Sequence, residues 1–289
     1  MMPRALNSLK IRYEIGSRQW RQSRLRNRHL ANLPTLNPFD RAILADLERD
    51  GAAVTSLDAL ATNGDCKAFD LWAARDMLLA LGKEVGTSKD YLREASPTQL
   101  AMRPQLIAWG LEERFLDIAE SYIGLPVAYR GAVFRRDFAD GQKRETRQWH
   151  RDSEDVRIMK IVVYIEDVDE TGGAYCYLPK RYAPEKGIEF VDGRVPDKVM
   201  DRLVAKEHYV KCIGPAGTVV FTDPVTVWHH GDVPKNADRL SAFYAYNSHH
   251  PLRPQYCQPL FAADNLSGAD LNTRQRAAIN YSYPVTETS

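Results

Sequence analysis

From about residue 125 onward, the sequence consists of short segments rich in β-branched and aromatic residues, with turn residues between them. Short alternating strands separated by frequent turns are typical of a sandwich, barrel or jelly roll. The strongest predicted strands cover residues 157–165, 175–178, 210–213, 218–222 and 239–246. We therefore expect a mainly β fold with some helix, and specifically a double-stranded β-helix of the jelly-roll, cupin-like type.

The residues before this region have the apolar spacing of helices. Asn37 and Pro38 are typical of a helix start, and Gly51 of its end. Further helices are expected at about 69–81 and 105–123. We expect a helical layer that supports the jelly roll within a single domain at residues 36–289, divided into a helical layer at about 36–124, a jelly-roll core at about 125–250 and a C-terminal extension at 251–289.

Residues 1–35 form a basic N-terminal arm. A solvated helical arm is the simplest interpretation of this composition, and a weak contact with an anionic surface is the alternative. The arm contains the arginines Arg12, Arg18, Arg21, Arg24, Arg26 and Arg28.

The bulk composition restricts the partners. The chain of 289 residues has 39 Lys and Arg against 38 Asp and Glu, so the net charge gives no sign of a nucleic-acid partner. No apolar run is long enough to span a bilayer, and the N-terminus lacks a signal-peptide core, so we expect a cytoplasmic location. The four cysteines show no paired spacing that would indicate a zinc cluster or disulfide framework. The oligomeric state is left open.

A His-x-Asp motif, His150 and Asp152, lies just before the strand predicted at 157–165. Residues two apart on a strand point the same way, so both side chains can face a barrel interior. An imidazole and a carboxylate, completed by a second histidine, form the facial triad that suits iron(II) and leaves the opposite face of the metal open.

A second such motif, His230 and Asp232, competes with the first. Roughly eighty residues of predicted strands follow His150 before the next histidines that can close a triad, which is the separation a jelly roll needs. The histidines downstream of the His230 motif are His249 and His250. They are too close to it in the sequence for the intervening strands of a jelly roll. We therefore favour the first motif. The third ligand is then His229 or His230, and in an extended segment only one of these neighbours faces inward.

Arg239 and Ser241 share one face of the last predicted strand. An arginine fork meets a carboxylate through two parallel hydrogen bonds, and a neighbouring serine adds another. This pair suits the distal carboxylate of 2-oxoglutarate. The alternative is a surface arginine next to Asp238.

These motifs together resemble the phytanoyl-CoA dioxygenase family of 2-oxoglutarate oxygenases over about residues 125–247. The residues that carry the resemblance are Gln148-Trp149-His150-Arg151-Asp152, Tyr164-Ile165-Glu166-Asp167-Val168, Gly172-Gly173-Ala174, Leu178-Pro179-Lys180, Gly214-Pro215-Ala216-Gly217-Thr218-Val219-Val220-Phe221, Trp228-His229-His230-Gly231 and Arg239.

The resemblance implies an Fe(II) enzyme that uses 2-oxoglutarate and O2 as co-substrates and releases succinate and CO2 while it hydroxylates a small-molecule substrate. In the family a basic residue and a glycine follow the distal histidine, which implies His229 as the ligand with His230 in the basic position. The segment between Phe221 and His229 is slightly longer than the family pattern, so His230 remains the alternative ligand. Related halogenases lack the carboxylate of Asp152, so its presence favours hydroxylation or another oxidation. Lys160 lies on a strand that lines the co-substrate pocket in the family. It is expected either to pair with a carboxylate of 2-oxoglutarate or of the substrate, or to extend to solvent.

Two other classes of protein remain as alternatives. One is a cupin-like hydrolase that uses zinc or another divalent metal. The other is a non-catalytic binding protein that acts through the arginine-rich arm.

Overall fold

The computed structural model describes residues 4–83, 90–261, 266, 269–281 and 283, and for residues 4–15 it describes the backbone alone. The side chain of Arg12 and the end of the predicted C-terminal extension at 284–289 therefore lie outside the described residues. The described helices are α1 (Arg4–His29), α2 (Pro38–Asp50), α3 (Leu57–Thr62), α4 (Leu71–Leu79), α5 (Pro97–Ala101), α6 (Pro104–Ala108), α7 (Glu113–Ile123), α8 (Asp197–Leu203) and α9 (Thr273–Ile279). None of them has a stretch long and apolar enough to cross a bilayer.

The described strands are β1 (Ala52–Ser56), β2 (Leu92–Glu94), β3 (Val127–Asp137), β4 (Met159–Tyr164), β5 (Tyr175–Leu178), β6 (Val210–Cys212), β7 (Thr218–Thr222), β8 (Trp228–Gly231) and β9 (Arg239–Ser248). They form two antiparallel sheets, one of six strands in the order β1-β7-β4-β9-β3-β2 and one of three in the order β6-β5-β8. Val162 and Val220 from the large sheet pack with Tyr175 and Tyr177 from the small sheet. This arrangement is a double-stranded β-helix, and it confirms the predicted fold class.

The helices cover the outer face of the large sheet. Ile161 and Val163 of β4 belong to the same buried cluster as Phe115 and Ile118 of α7. Met159 belongs to this cluster as well. Because side chains alternate along a strand, Lys160, which lies between Met159 and Ile161, points to the inner face between the sheets. The alternation predicted for β4 is confirmed, and it places this lysine inside the barrel.

Helix α2 follows the sequence prediction closely. The Asn37 side chain accepts a hydrogen bond from the Asp40 amide at 2.8 Å, and Pro38 is the first helical residue. Gly51 ends the helix with φ of 84°, in the left-handed region that glycine adopts without strain.

The prediction of a single helix at 105–123 is wrong, because the chain there divides into α6, a 3-10 turn at Trp109–Leu111 and α7. Gly110 is in tight contact with the large sheet: an added Cβ would lie 2.4 Å from the Tyr244 ring. The Tyr246 hydroxyl donates to the Gly110 carbonyl at 2.7 Å. These contacts come from a distant strand, so the local apolar spacing does not reveal the break.

The N-terminal arm is helical, as predicted, but one face of α1 packs on the body of the protein. The buried Gln22 side chain donates to Asp155 Oδ1 at 2.5 Å and to the His250 carbonyl at 2.8 Å. Arg26 Nε donates to the Ile123 carbonyl at 3.0 Å. The arm is therefore not wholly solvated. The domain boundary at residue 35 and the contact with an anionic surface stay predictions.

Candidate metal centre and its cavity

A cavity of about 280 Å³ lies on the inner face of the large sheet. Strands β3, β4 and β9 form one wall, and the His150 segment and β8 contribute the facing side chains. Its charged and imidazole side chains are those of Glu94, Arg130, Arg135, His150, Asp152, Glu154, Lys160, His229 and Arg239. Five of the six candidate site residues therefore line the cavity, and Ser241 is the one that does not. The five are His150, Asp152, Lys160, His229 and Arg239.

The side chains of His150, Asp152 and His229 converge in this cavity, with one potential ligand atom from each lying within 4.8 Å of the others. His150 and His229 lie directly opposite each other on antiparallel segments and exchange both backbone hydrogen bonds at 3.0 Å. Opposed residues of such a pair project to the same side, and the two ring centroids are 4.2 Å apart. Backbone pairing thus brings these histidines together.

Both imidazoles are held with Nε2 available for a metal. His150 Nδ1 lies 2.8 Å from the Gln148 carbonyl, and His229 Nδ1 lies 3.3 Å from the Val227 carbonyl. A carbonyl partner favours the proton on Nδ1. Burial lowers the pKa of His150, and burial with the nearby His150 lowers the pKa of His229 to about 3. Both rings are therefore neutral near pH 7, as metal ligation requires.

Asp152 provides the anionic member of the group. Its Oδ2 accepts a hydrogen bond from Lys160 Nζ at 2.6 Å, while Oδ1 lies 3.8 Å from His150 Nε2. Burial alone would raise the pKa of Asp152, but Lys160 and His229 outweigh it and hold the pKa well below its usual value. Two neutral imidazoles and one carboxylate are a donor set that fits a divalent transition metal.

The second His-x-Asp motif points elsewhere. The His230 ring packs edge-on against Trp149 with centroids 4.4 Å apart, and Asp232 pairs with Lys211 at 3.1 Å. Adjacent residues of a strand project to opposite faces, so His229 shares the face of His150 and His230 does not. The assignment of His229 as a metal ligand stays a prediction, but it agrees with this geometry.

Lys160 lies inside the cavity rather than extending to solvent. Its Nζ contacts Asp152 and is 3.7 Å from Glu154 Oε1. Burial lowers the pKa of Lys160, but the two carboxylates outweigh this effect, so its pKa lies above the usual value. Lys160 thus makes a direct contact with a candidate metal ligand, and the sequence did not predict this contact. Its role in co-substrate binding stays a prediction.

Arg239 is buried at the start of β9 and is not the surface arginine of the alternative interpretation. Its Nη2 donates to Asp137 Oδ2 at 2.8 Å, and Nη1 donates to the Gly173 carbonyl. Asp238 pairs instead with Arg136 at 2.7 Å. The Oγ of Ser241 is buried and has no hydrogen-bond partner among the described residues, so an incoming acceptor would satisfy it.

Two residues of β3 join this cluster and were missed by the sequence analysis. Arg135 Nε donates to Asp137 Oδ2 at 2.9 Å, so Arg135 and Arg239 share one buried carboxylate. Burial would raise the pKa of Asp137, but the two guanidinium groups outweigh it and lower the pKa. Arg135, Asp137 and Arg239 together carry one positive charge, and Glu94, the register partner of Arg135, is a further acidic side chain that lines the cavity. The alternation of Val133, Arg135 and Asp137 was the available signal in the sequence.

No protein-family model matches the sequence, and no curated protein matches it. The fold is similar to two crystal structures of EctD from S. alaskensis. The apo form is 18% identical with a TM-score of 0.53, over 80% of this chain and 85% of that chain. The form with 2-oxoglutarate and 5-hydroxyectoine is 19% identical with a TM-score of 0.50, over 79% of this chain and 86% of that chain. At this identity the likeness establishes the fold alone.

Proposed function

We propose that this chain is a non-haem Fe(II)- and 2-oxoglutarate-dependent oxygenase that hydroxylates an unactivated carbon of a small-molecule substrate. The observation that carries the proposal is the convergence of His150, Asp152 and His229 within 4.8 Å in the cavity of a double-stranded β-helix. This donor set leaves one side of a bound metal open, which a co-substrate and O2 require. A cytoplasmic location and the likeness to the phytanoyl-CoA dioxygenase family belong to the same proposal.

The charge at the Arg239 end of the cavity supports 2-oxoglutarate as the co-substrate. Arg239 and Arg135 share Asp137, and the nearby Ser241 hydroxyl lacks a partner among the described residues. Such a cluster suits a carboxylate that accepts several charge-assisted hydrogen bonds. The EctD structure of the same fold holds 2-oxoglutarate, which supports this choice.

The protein residues have separable tasks in this proposal. His150, Asp152 and His229 would hold the iron, and Lys160 would hold the outer oxygen of Asp152 so that this carboxylate offers its other oxygen. Arg239 would orient the co-substrate, and apolar side chains such as that of Phe243 exclude water. When bound, iron supplies the activation of O2 that is coupled to conversion of 2-oxoglutarate to succinate and CO2.

Two measurements test the proposal. Under anaerobic conditions, Fe(II) and 2-oxoglutarate together should produce a visible charge-transfer absorption that neither produces alone. In air, the protein should form succinate with Fe(II) and none with Zn(II). Absence of both signals would contradict the proposal, and turnover supported by Zn(II) without consumption of 2-oxoglutarate would favour the hydrolase instead.

A further inference from the structure

The cavity has a second group of cations at the end opposite Arg239. Lys160 on β4 and Ala245 on β9 are register partners, and Ala245 also pairs with Gly131 of β3, next to Arg130. Ala245 is six positions after Arg239, so at about 3.4 Å per residue the Cα atoms of these two residues lie roughly 20 Å apart along the strand. The side chains of Arg130 and Lys160 therefore leave the sheet at a different place from that of Arg239.

A β-bulge directs Arg130 into the cavity. The register of β3 against β9 passes from Tyr129 paired with Tyr246 to Gly131 paired with Ala245, so Arg130 is an additional residue. Bulges often redirect a side chain beside a functional site. Tyr129 consequently faces the helical layer, where its hydroxyl donates to the Ile107 carbonyl, while Arg130 lines the cavity.

The carboxylate of Glu154 is shared by these two cations. Glu154 Oε1 lies 3.6 Å from Arg130 Nη1 and 3.7 Å from Lys160 Nζ, distances too long for strong hydrogen bonds. Lys160 also contacts Asp152, but a bound divalent metal would itself neutralise the negative charge of that carboxylate. Arg130 and Lys160 together would then exceed Glu154 by one positive charge.

We propose that Arg130, together with Lys160, binds a carboxylate of the substrate, so that the substrate of this enzyme is an organic acid. The inference rests on the proposed function, because it assigns the Arg239 group to 2-oxoglutarate. The wall beside Arg130 is apolar, with Val162, Phe243 and Leu260 lining the cavity, and it suits the hydrocarbon part of such an acid.

The chain after β9 limits the size of this acid. The Leu260 amide donates to the Arg130 carbonyl at 2.7 Å, so residues 260 and 261 lie over the bulge. Gly131 has φ of 121°, and an added Cβ there would lie 2.5 Å from the Phe261 ring. Leu260 lines the cavity, whereas Phe261 packs on Tyr129 with ring centroids 5.9 Å apart, so Leu260 is the residue of this pair that limits the space for the acid.

The test measures binding of simple acids to the anaerobic protein loaded with Fe(II) and saturated with 2-oxoglutarate. Butanoate, hexanoate and octanoate serve as probes in titration calorimetry, with hexanamide and hexylamine as neutral and cationic controls. We expect saturable binding of at least one acid, and at least about tenfold weaker binding of hexanamide than of hexanoate, because a charge-assisted hydrogen bond is stronger than a neutral one.

Three variants locate the binding site. Arg130→Gln should weaken hexanoate binding at least about tenfold and bring it to the level of hexanamide. Arg130→Lys should retain part of the preference for the acid. Arg75→Gln is the matched control, because this arginine lies outside the cavity and pairs with Glu166. All three variants should bind 2-oxoglutarate like the wild type, which also shows that they are folded.

Several results would overturn the inference. They are absence of saturable binding by every acid, equal affinity for hexanoate and hexanamide, tighter binding of hexylamine, or unchanged hexanoate binding in Arg130→Gln. Loss of 2-oxoglutarate binding in Arg130→Gln would also overturn it, since Arg130 would then serve the co-substrate. Failure of the wild type to bind 2-oxoglutarate would instead refute the proposed function itself, so the two failures are distinguishable.

Discussion

His150 and His229 donate their backbone amides to each other's carbonyls at 3.0 Å, although they are far apart in the sequence. This reciprocal pair fixes the register between the segment that carries Asp152 and strand β8. Because opposed residues project to the same side, the pair also selects which of two adjacent histidines faces the cavity. The metal-binding predictions depend on this relationship.

Replacement of the adjacent histidines should have different effects. His229→Ala should abolish Fe(II) binding, because it removes one of three converging donors. His230→Ala should retain Fe(II) binding and lower the thermal stability, since His230 packs on the buried Trp149. Metal binding followed by calorimetry and unfolding followed by circular dichroism separate the two effects. The reverse pattern would identify His230 as the ligand.

The two His-x-Asp motifs provide a matched comparison. Asp152→Ala and His150→Ala should each eliminate Fe(II)-dependent succinate formation while the fold survives. Asp232→Ala removes the carboxylate of the other motif, which pairs with Lys211, and should leave activity close to that of the wild type. Near-normal iron binding in both Asp152→Ala and His150→Ala would exclude the proposed centre.

Arg239→Ala should weaken 2-oxoglutarate binding far more than metal binding. Loss of one partner from a desolvated, hydrogen-bonded charge pair costs about 2–5 kcal/mol, or about thirty- to several-thousand-fold in affinity. Arg239→Lys should recover only part of the lost 2-oxoglutarate affinity, because an ammonium group does not reproduce two parallel hydrogen bonds. Titration of the anaerobic iron complex measures the change, with Arg136→Ala as a control outside the cavity. An unchanged dissociation constant in Arg239→Ala would transfer the role to another cation, such as Lys160.

Gly231→Ala tests the position of Arg239 without a change of charge. An added Cβ at Gly231 would lie 3.1 Å from Arg239 Nη2 and 3.2 Å from Nη1, so the guanidinium must move. We expect about tenfold weaker 2-oxoglutarate binding, or about 1.4 kcal/mol, with metal affinity retained. Gly16→Ala, where a methyl group meets nothing within 4 Å, is the control. Wild-type co-substrate affinity in Gly231→Ala would show that Arg239 is not held against the ligand.

Asp155 should make the stability depend on pH. Burial raises its pKa, although Gln22 and Ser248 donate hydrogen bonds that oppose the shift. The folded state therefore binds the proton more tightly than the unfolded state, so stability is lost as pH rises from the unfolded pKa of about 3.9 through the raised value.

Asp155→Asn removes this titration and keeps the shape of the side chain. The free energy of unfolding of the variant, relative to the wild type, should therefore increase with pH across that window. Denaturant unfolding at several pH values measures the difference. A constant difference between variant and wild type would show that the ionised carboxylate is not penalised in the folded protein.

The sequence by itself determined the local features. The Asn37 cap, Pro38 and Gly51 define α2 because capping depends on neighbouring residues, and alternation along β4 predicts that Lys160 and Val162 share a face, as both do in the cavity. The predicted jelly roll follows from short strands and frequent turns in the same way. The His150 motif was also predictable, because residues two apart on one strand share a face whatever the rest of the chain does.

Only the tertiary structure decided which residues meet across the barrel. The choice between His229 and His230 depends on backbone pairing with His150, and a shift of one residue would reverse it. The association of Arg135, Asp137 and Arg239 needs β3 beside β9. The direction of Arg130 needs the bulge, and the break at Gly110 depends on Tyr244 and Tyr246 of β9, which contact this glycine. These contacts join segments that are distant in the sequence, so the local spacing of residues does not predict them.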